Sequence, residues 1–199
     1  KTAAGKSFNV HNPMMFMAQD REIANEAFPG DVIGIPSHGG LRVGDSLSQS
    51  GDVVFQGIPN FAPEILKRVR VRDPLKQKHL RKALEALGEE GVTQVFKPVH
   101  GGDLVVGAVG QLQFEVLDER MKAEYGLDVI FETSPYQAAR WVSAEARADL
   151  DAFVEKSASQ MAEDVDNAPV YLGKSAWEIG YVQDKNPKVR FSDTKERAA

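Results

Sequence analysis

The stretch VTQVFKPVHGGDLVVGAVG, Val92 to Gly110, decides the reading of the whole chain. Two short runs rich in β-branched residues flank His100-Gly101-Gly102-Asp103, a composition that predicts two antiparallel strands joined by a glycine turn. Working upstream, ILKRVRVRD sets Val69 and Val71 on one side and Arg68, Arg70 and Arg72 on the other, the alternation of a strand with one wet face. Between these segments lies PLKQKHLRKALEAL. Asp73 suits an N-cap and Pro74 the first helical position. Leu75, Leu80, Ala83, Leu84 and Leu87 form one apolar arc, with Lys78, Arg81 and Lys82 outside it. Lys76 falls on the apolar side at the first turn, where its stem can snorkel, and Gly88 reads as the stop. Downstream, a helix from Gln111 to Tyr125 precedes the strand LDVIFET. The order β-α-β-β-α-β is that of a split βαβ, ferredoxin-like unit: an antiparallel sheet with two helices on one face.

Further out, AARWVS, PVYLGKS and KVRFS read as strands. Glu145 to about Gln160 reads as a helix and AWEIGYVQD as a short one, all expected to extend or cover that sheet. The closing DTKERAA has too little apolar content to order itself. On the N-terminal side, Ser7 to Ile58 has another texture: short apolar runs such as MMFMA, DVIGI and LRVGDSLS, punctuated by HNP, FPGD and SHGG. Strands with tight turns predict an all-β barrel or sandwich, although only about four fit here, so the barrel is partial or draws strands from upstream of Lys1. GIPNFAPE is a proline-interrupted linker. The expectation is an α+β chain: a partial β-barrel over residues 1–58, then a ferredoxin-like α/β sandwich domain over residues 59–199 with a βαββαβ core and a C-terminal extension.

Composition narrows the class. With 199 residues, 42% of them hydrophobic, the chain can bury a core. It has no cysteine, hence no disulfide and no thiolate zinc site. No run of about eighteen apolar residues is present, and no charged-then-apolar leader. A cytoplasmic protein without membrane partners is expected. Because the text starts at Lys1 in strand-like sequence, it is expected to begin inside a larger polypeptide.

The search for catalytic chemistry is negative. AAGKS (Ala3 to Ser7) and GKS (Gly173 to Ser175) echo the tail of a phosphate-binding loop, but the second has Ala168 where the first glycine belongs, and the first would need a residue before Lys1. His11, His38, His79 and His100 are scattered, with no spacing for metal. His100 and Asp103 have no nucleophile beside them and read as a hairpin turn. The acids at Glu89 and Glu90, and around Asp164, read as solvated ends and loops. Neither catalytic nor metal residues are expected here, and no enzyme activity.

What remains is charge. Residues 67–82 hold eight basic side chains and one acid in a protein of net charge -5. Lys67, Arg68, Arg70, Arg72, Lys76, Lys78, Arg81 and Lys82 are candidate contacts for a phosphate backbone, with strand and helix expected to form one positive surface. Base reading on the sheet is not expected, because LVVGAVG has no aromatic and Phe96 alone is a poor platform.

At the level of motifs, EAFPGDVIGI followed by LRVGDSLS resembles the second, β-barrel domain of translational GTPases. DPLKQKHLRKALEALGEEG, then LVVGAVGQLQFEVLDERMKAEYGLDV, resembles the third domain of elongation factor G and its relatives. Elongation factor G usually has G-E-L-H at the glycine turn and E-E-D-P after the first helix, whereas this chain has Gly110-Gln111-Leu112-Gln113 and Glu89-Glu90-Gly91-Val92. GIPNFAPE, RVRVRDPLKQK, ARWV and NPKVRF instead resemble the bacterial class II peptide chain release factors, the release factor three family. The resemblance implies a translation termination factor. The family binds GTP or GDP with Mg in an N-terminal GTPase domain that is not written here, works on the ribosome (rRNA and ribosomal proteins), and promotes departure of class I release factors. This chain would then hold no nucleotide residue. Its partners would be the ribosome, class I factors indirectly, and its own GTPase domain. A fragment of another translational GTPase, such as elongation factor G or a ribosomal protection protein, and a ligand-sensing ferredoxin-like module are the alternatives.

Overall fold

The computed structural model describes residues 9–17, 20–36, 44–50 and 59–195, with Ser7, Leu41, Val53 and Phe55. The chain divides into two units, Lys1–Ile58 with Arg197–Ala199, and Pro59–Glu196. Within the first, β1 (Met14–Met17) pairs antiparallel with β2 (Asp20–Ile23) and with β3 (Ile33–Gly34). Pro29 and Gly30 turn the chain into β3. Gly30 takes φ 103°, a conformation glycine adopts without strain, and the Asp31 carboxylate accepts a 2.7 Å hydrogen bond from the Phe28 amide. His38, most of AAGKS and part of the LRVG run lie outside the described residues.

The second unit begins with β4 (Asn60–Phe61), then β5 (Ile65–Val71), α1 (Gln77–Glu89), β6 (Gln94–Pro98), β7 (Leu104–Ala108), α2 (Gln111–Tyr125) and β8 (Val129–Thr133). Strand order β6-β7-β5-β8, all antiparallel, is that of the split βαβ unit. Val69, Val71, Val95, Leu104, Val106 and Val129 point to one face. Leu80, Ala83, Leu84 and Leu87 of α1, with Phe114, Leu117 and Met121 of α2, cover it.

Beyond β8 the chain builds the same unit again. β9 (Ala138–Ala144), α3 (Arg147–Lys156), β10 (Met161–Glu163), β11 (Pro169–Gly173), α4 (Ala176–Lys185) and β12 (Val189–Ser192) form a sheet of order β12-β9-β11-β10. The expected extension is thus a second β-α-β-β-α-β unit. The element the sequence reading lacks is β10, three residues long. It pairs with β11 on one side and with β6 on the other, Ala162 opposite Pro98 and Glu163 opposite Lys97, and so joins the two halves into one eight-stranded sheet.

Around Leu66, β6 and β7 in the first half and β9 to β11 in the second, the helix-free faces turn inward. Leu66, Phe96 and Val105 from the first half share a core with Ala139, Trp141, Ala162, Val170 and Leu172 from the second. Helices therefore lie outermost, with α3 and α4 packed on Val142, Tyr171 and Val189. Phe96 is fully buried there, so the sheet face that would stack bases in an RNA-recognition motif is interior.

Three local expectations are corrected. Pro74–Lys76 is a 3-10 turn before α1, capped by the Asp73 carboxylate on the Leu75 amide, and its different angular spacing leaves Leu75 93% exposed rather than in the apolar arc. Gly88 lies inside α1. The stop is Gly91, at φ 78°, where the amides of Gly91 and Val92 bond to the carbonyls of Gly88 and Leu87 in a Schellman arrangement. The C-terminus is ordered through β13 (Thr194–Lys195), which pairs with β4. Lys195 donates to the carboxylates of Asp164, at 2.6 Å, and Asp166, at 2.9 Å, and this charged anchor does what apolar content could not.

Candidate nucleic-acid interface

β5 and the α1 region carry all eight candidate cations, and the fold sorts them into three environments. Arg68, Arg70 and Arg72 alternate with Val69 and Val71, so they stand on the side of the sheet away from α1 and α2. There they meet acids. Arg68 lies opposite Glu132 in the β5–β8 register and pairs with it at 3.3 Å. Arg70 donates to Asp103 at 2.7 Å from the HGGD turn, and Arg72 reaches Asp128 at 2.8 Å. The hydrogen bond to Asp103, then the charges of Asp103 and Glu132, push the Arg70 guanidinium further above its ordinary value. These three arginines are neutralised within the chain.

Lys67 and Lys76 are also engaged. The Lys67 ammonium donates to Gln111 Oε1 at 3.1 Å and sits 4.5 Å from the centroid of the Phe114 ring. Lys76 donates at 3.1 Å to the carbonyl of Gly126, at the negative C-terminal end of α2.

Lys78, Arg81 and Lys82 form the third group. Their spacing of three and four residues places them along one exposed stripe of α1. Among the described residues none of the three has an ion-pair partner. The single positive surface expected from the sequence is therefore two faces separated by the sheet: a paired strand face and an unpaired helix stripe. Nothing in the sequence signals the pairing, because Asp103, Asp128 and Glu132 lie 33 to 64 positions away from their arginines and meet them only through the sheet.

His100 and Asp103 occupy the β6–β7 turn as expected, with Gly101 and Gly102 both at positive φ. Asp164 differs from its sequence reading. Rather than a solvated loop acid it is buried, accepting from the Trp141 indole at 2.9 Å, from the amides of Asp166 and Ala168, and from Lys195. Among the described residues no cluster of His, Asp and Glu could hold a metal ion, and no helix is long and apolar enough to cross a membrane.

With this geometry established, comparison with known families is decisive. Residues 55–183, from just before β4 into α4, match the family described as Class II release factor RF3, C-terminal domain. The chain belongs to that family. Residues 1–50 match Elongation factor G domain 2, which fits a translation-factor β domain preceding the α/β domain. The match spans the first split βαβ unit and the second as far as α4, and the order of the two matches relates the chain to translational GTPases and to protein synthesis on the ribosome.

Proposed function

We propose that this chain is the ribosome-contacting, domain-coupling part of a termination factor that promotes departure of class I release factors after the peptide has been freed. In the whole protein, GTP or GDP with Mg would be held by an N-terminal GTPase domain, and hydrolysis there would reset the factor. The observation that carries the reading is the stripe of Lys78, Arg81 and Lys82 on a member of the release-factor family: three exposed cations with no ion-pair partner among the described residues, Glu85 one turn on being paired with Lys97 at 2.9 Å, and so available to phosphate oxygens of rRNA. Each exposed contact contributes about 1 kcal/mol or less, so affinity arises from several together and falls with salt. The paired arginines of β5 serve the fold in this account and add little to binding.

The test uses the intact factor with Lys78, Arg81 and Lys82 changed to Glu. Guanine-nucleotide binding in the absence of ribosomes stays at the parent's level, while release of a labelled class I factor from post-termination ribosomes slows. Release at the parent's rate across the salt series contradicts the assignment.

A further inference from the structure

The outer surface of α4 carries a second feature, on the other half of the domain and independent of the α1 stripe. Trp177 and Tyr181, one helical turn apart, lie with their rings nearly parallel, 13° between planes and 5.6 Å between centroids. Lys185, one turn further on, places its ammonium 5.7 Å from the Tyr181 centroid. The two rings are 76% and 52% exposed, and neither belongs to the core, to which α4 contributes Ile179 and Val182 instead. They line a groove of about 600 Å³ with Lys156, Ser157, Gln160 and Lys185. Glu178 faces the same groove, and its Oε2 is held within the chain, accepting from the Lys174 amide at 2.5 Å and from Gln160 at 3.2 Å.

The surroundings indicate what such rings would receive. An aromatic anchor for a protein partner usually sits in a desolvated apolar patch. Here the apolar lining is mostly aromatic, with Val182 beside the rings, and the rim is two lysines and Glu178 among hydroxyl and amide side chains. That pattern suits a ligand that is planar, polar at its edges and anionic a few ångströms away. We infer that Trp177, Tyr181 and Lys185 form a stacking platform for an unpaired RNA base, with Lys156 and Lys185 beside its phosphates.

The chain has two tryptophans, and Trp141 is buried against Asp164, so a ligand stacking on the platform is read by Trp177 emission. The test titrates the 199-residue chain with a single-stranded oligoadenylate of about eight nucleotides at low salt, within the range of site sizes for single-strand binding. Emission is expected to fall on saturation. In anisotropy with the labelled oligonucleotide, Trp177→Ala and Tyr181→Leu each weaken binding roughly tenfold, and Lys185→Gln reduces the salt dependence. Both ring variants change exposed residues, and an unaltered far-ultraviolet spectrum shows that they fold. Equal affinity for parent and Trp177→Ala, absence of RNA binding at low salt, or quenching by a proline-rich peptide but not by RNA would each overturn the inference.

Discussion

At the scale of single residues, buried polar groups carry consequences that exposed ones do not. Asp164 satisfies the Trp141 indole, two backbone amides and Lys195 at once. Asp164→Ala would leave the indole and the two amides without that acceptor in a buried site, with Lys195 keeping Asp166, at a cost of about 3 kcal/mol that urea unfolding would register as a lower midpoint at unchanged slope. Tyr171 is held inside the second half among Phe153 and Phe191, and burial pushes its phenol from 10.0 up to about 12. For an acid whose folded value is raised, the neutral form is the one the fold favours. Its contribution is complete below about pH 10 and lost as pH climbs towards 12. Alkaline unfolding followed by circular dichroism should therefore be shallower in this window for Tyr171→Phe. Neither role is readable from text. Asp164 sits in an acidic run that resembles a solvated loop, and its partners are 23 and 31 residues away.

Elements were legible wherever periodicity had length to work with. The first split βαβ unit could be read because β5, β6 and β7 alternate or run apolar over five to seven residues and α1 carries an apolar arc. The second unit was half-read, since Met161–Glu163 is too short to show a period and followed a helix that the sequence reading ran on to Gln160. Missing that strand turns a repeated unit into a set of added strands. The linker is likewise more than a spacer. Pro63 packs on β7 where Gly107 leaves room, and a Cβ on Gly107 would lie 2.5 Å from the Pro63 ring. Gly107→Ala has to displace either the proline or the strand, and a loss of about 1–3 kcal/mol in thermal or urea unfolding is expected. A variant as stable as the parent would show that the segment from β4 to β5 moves at no cost.

For the α/β domain as a whole, the shared inner core makes two similar halves one cooperative body. Phe96 stands, fully buried, in that core, which draws residues from both halves. Phe96→Ala is expected to cost about 3–5 kcal/mol and to lower one unfolding transition rather than split it. Two separate transitions would mean that the halves fold independently. The same architecture explains why the basic segment could be located but not interpreted from sequence. Composition concentrates eight cations in residues 67–82, whereas only the sheet register brings Glu132, Asp103 and Asp128 to the strand arginines and leaves Lys78, Arg81 and Lys82 outward. Co-sedimentation of this chain with ribosomes across a salt series, comparing Lys78, Arg81 and Lys82 changed to Glu with Arg68, Arg70 and Arg72 changed to Gln, separates the two faces most directly. The account predicts that the helix variant stops sedimenting with ribosomes while the strand variant follows the parent. Retention of the helix variant together with loss of the strand variant would contradict it.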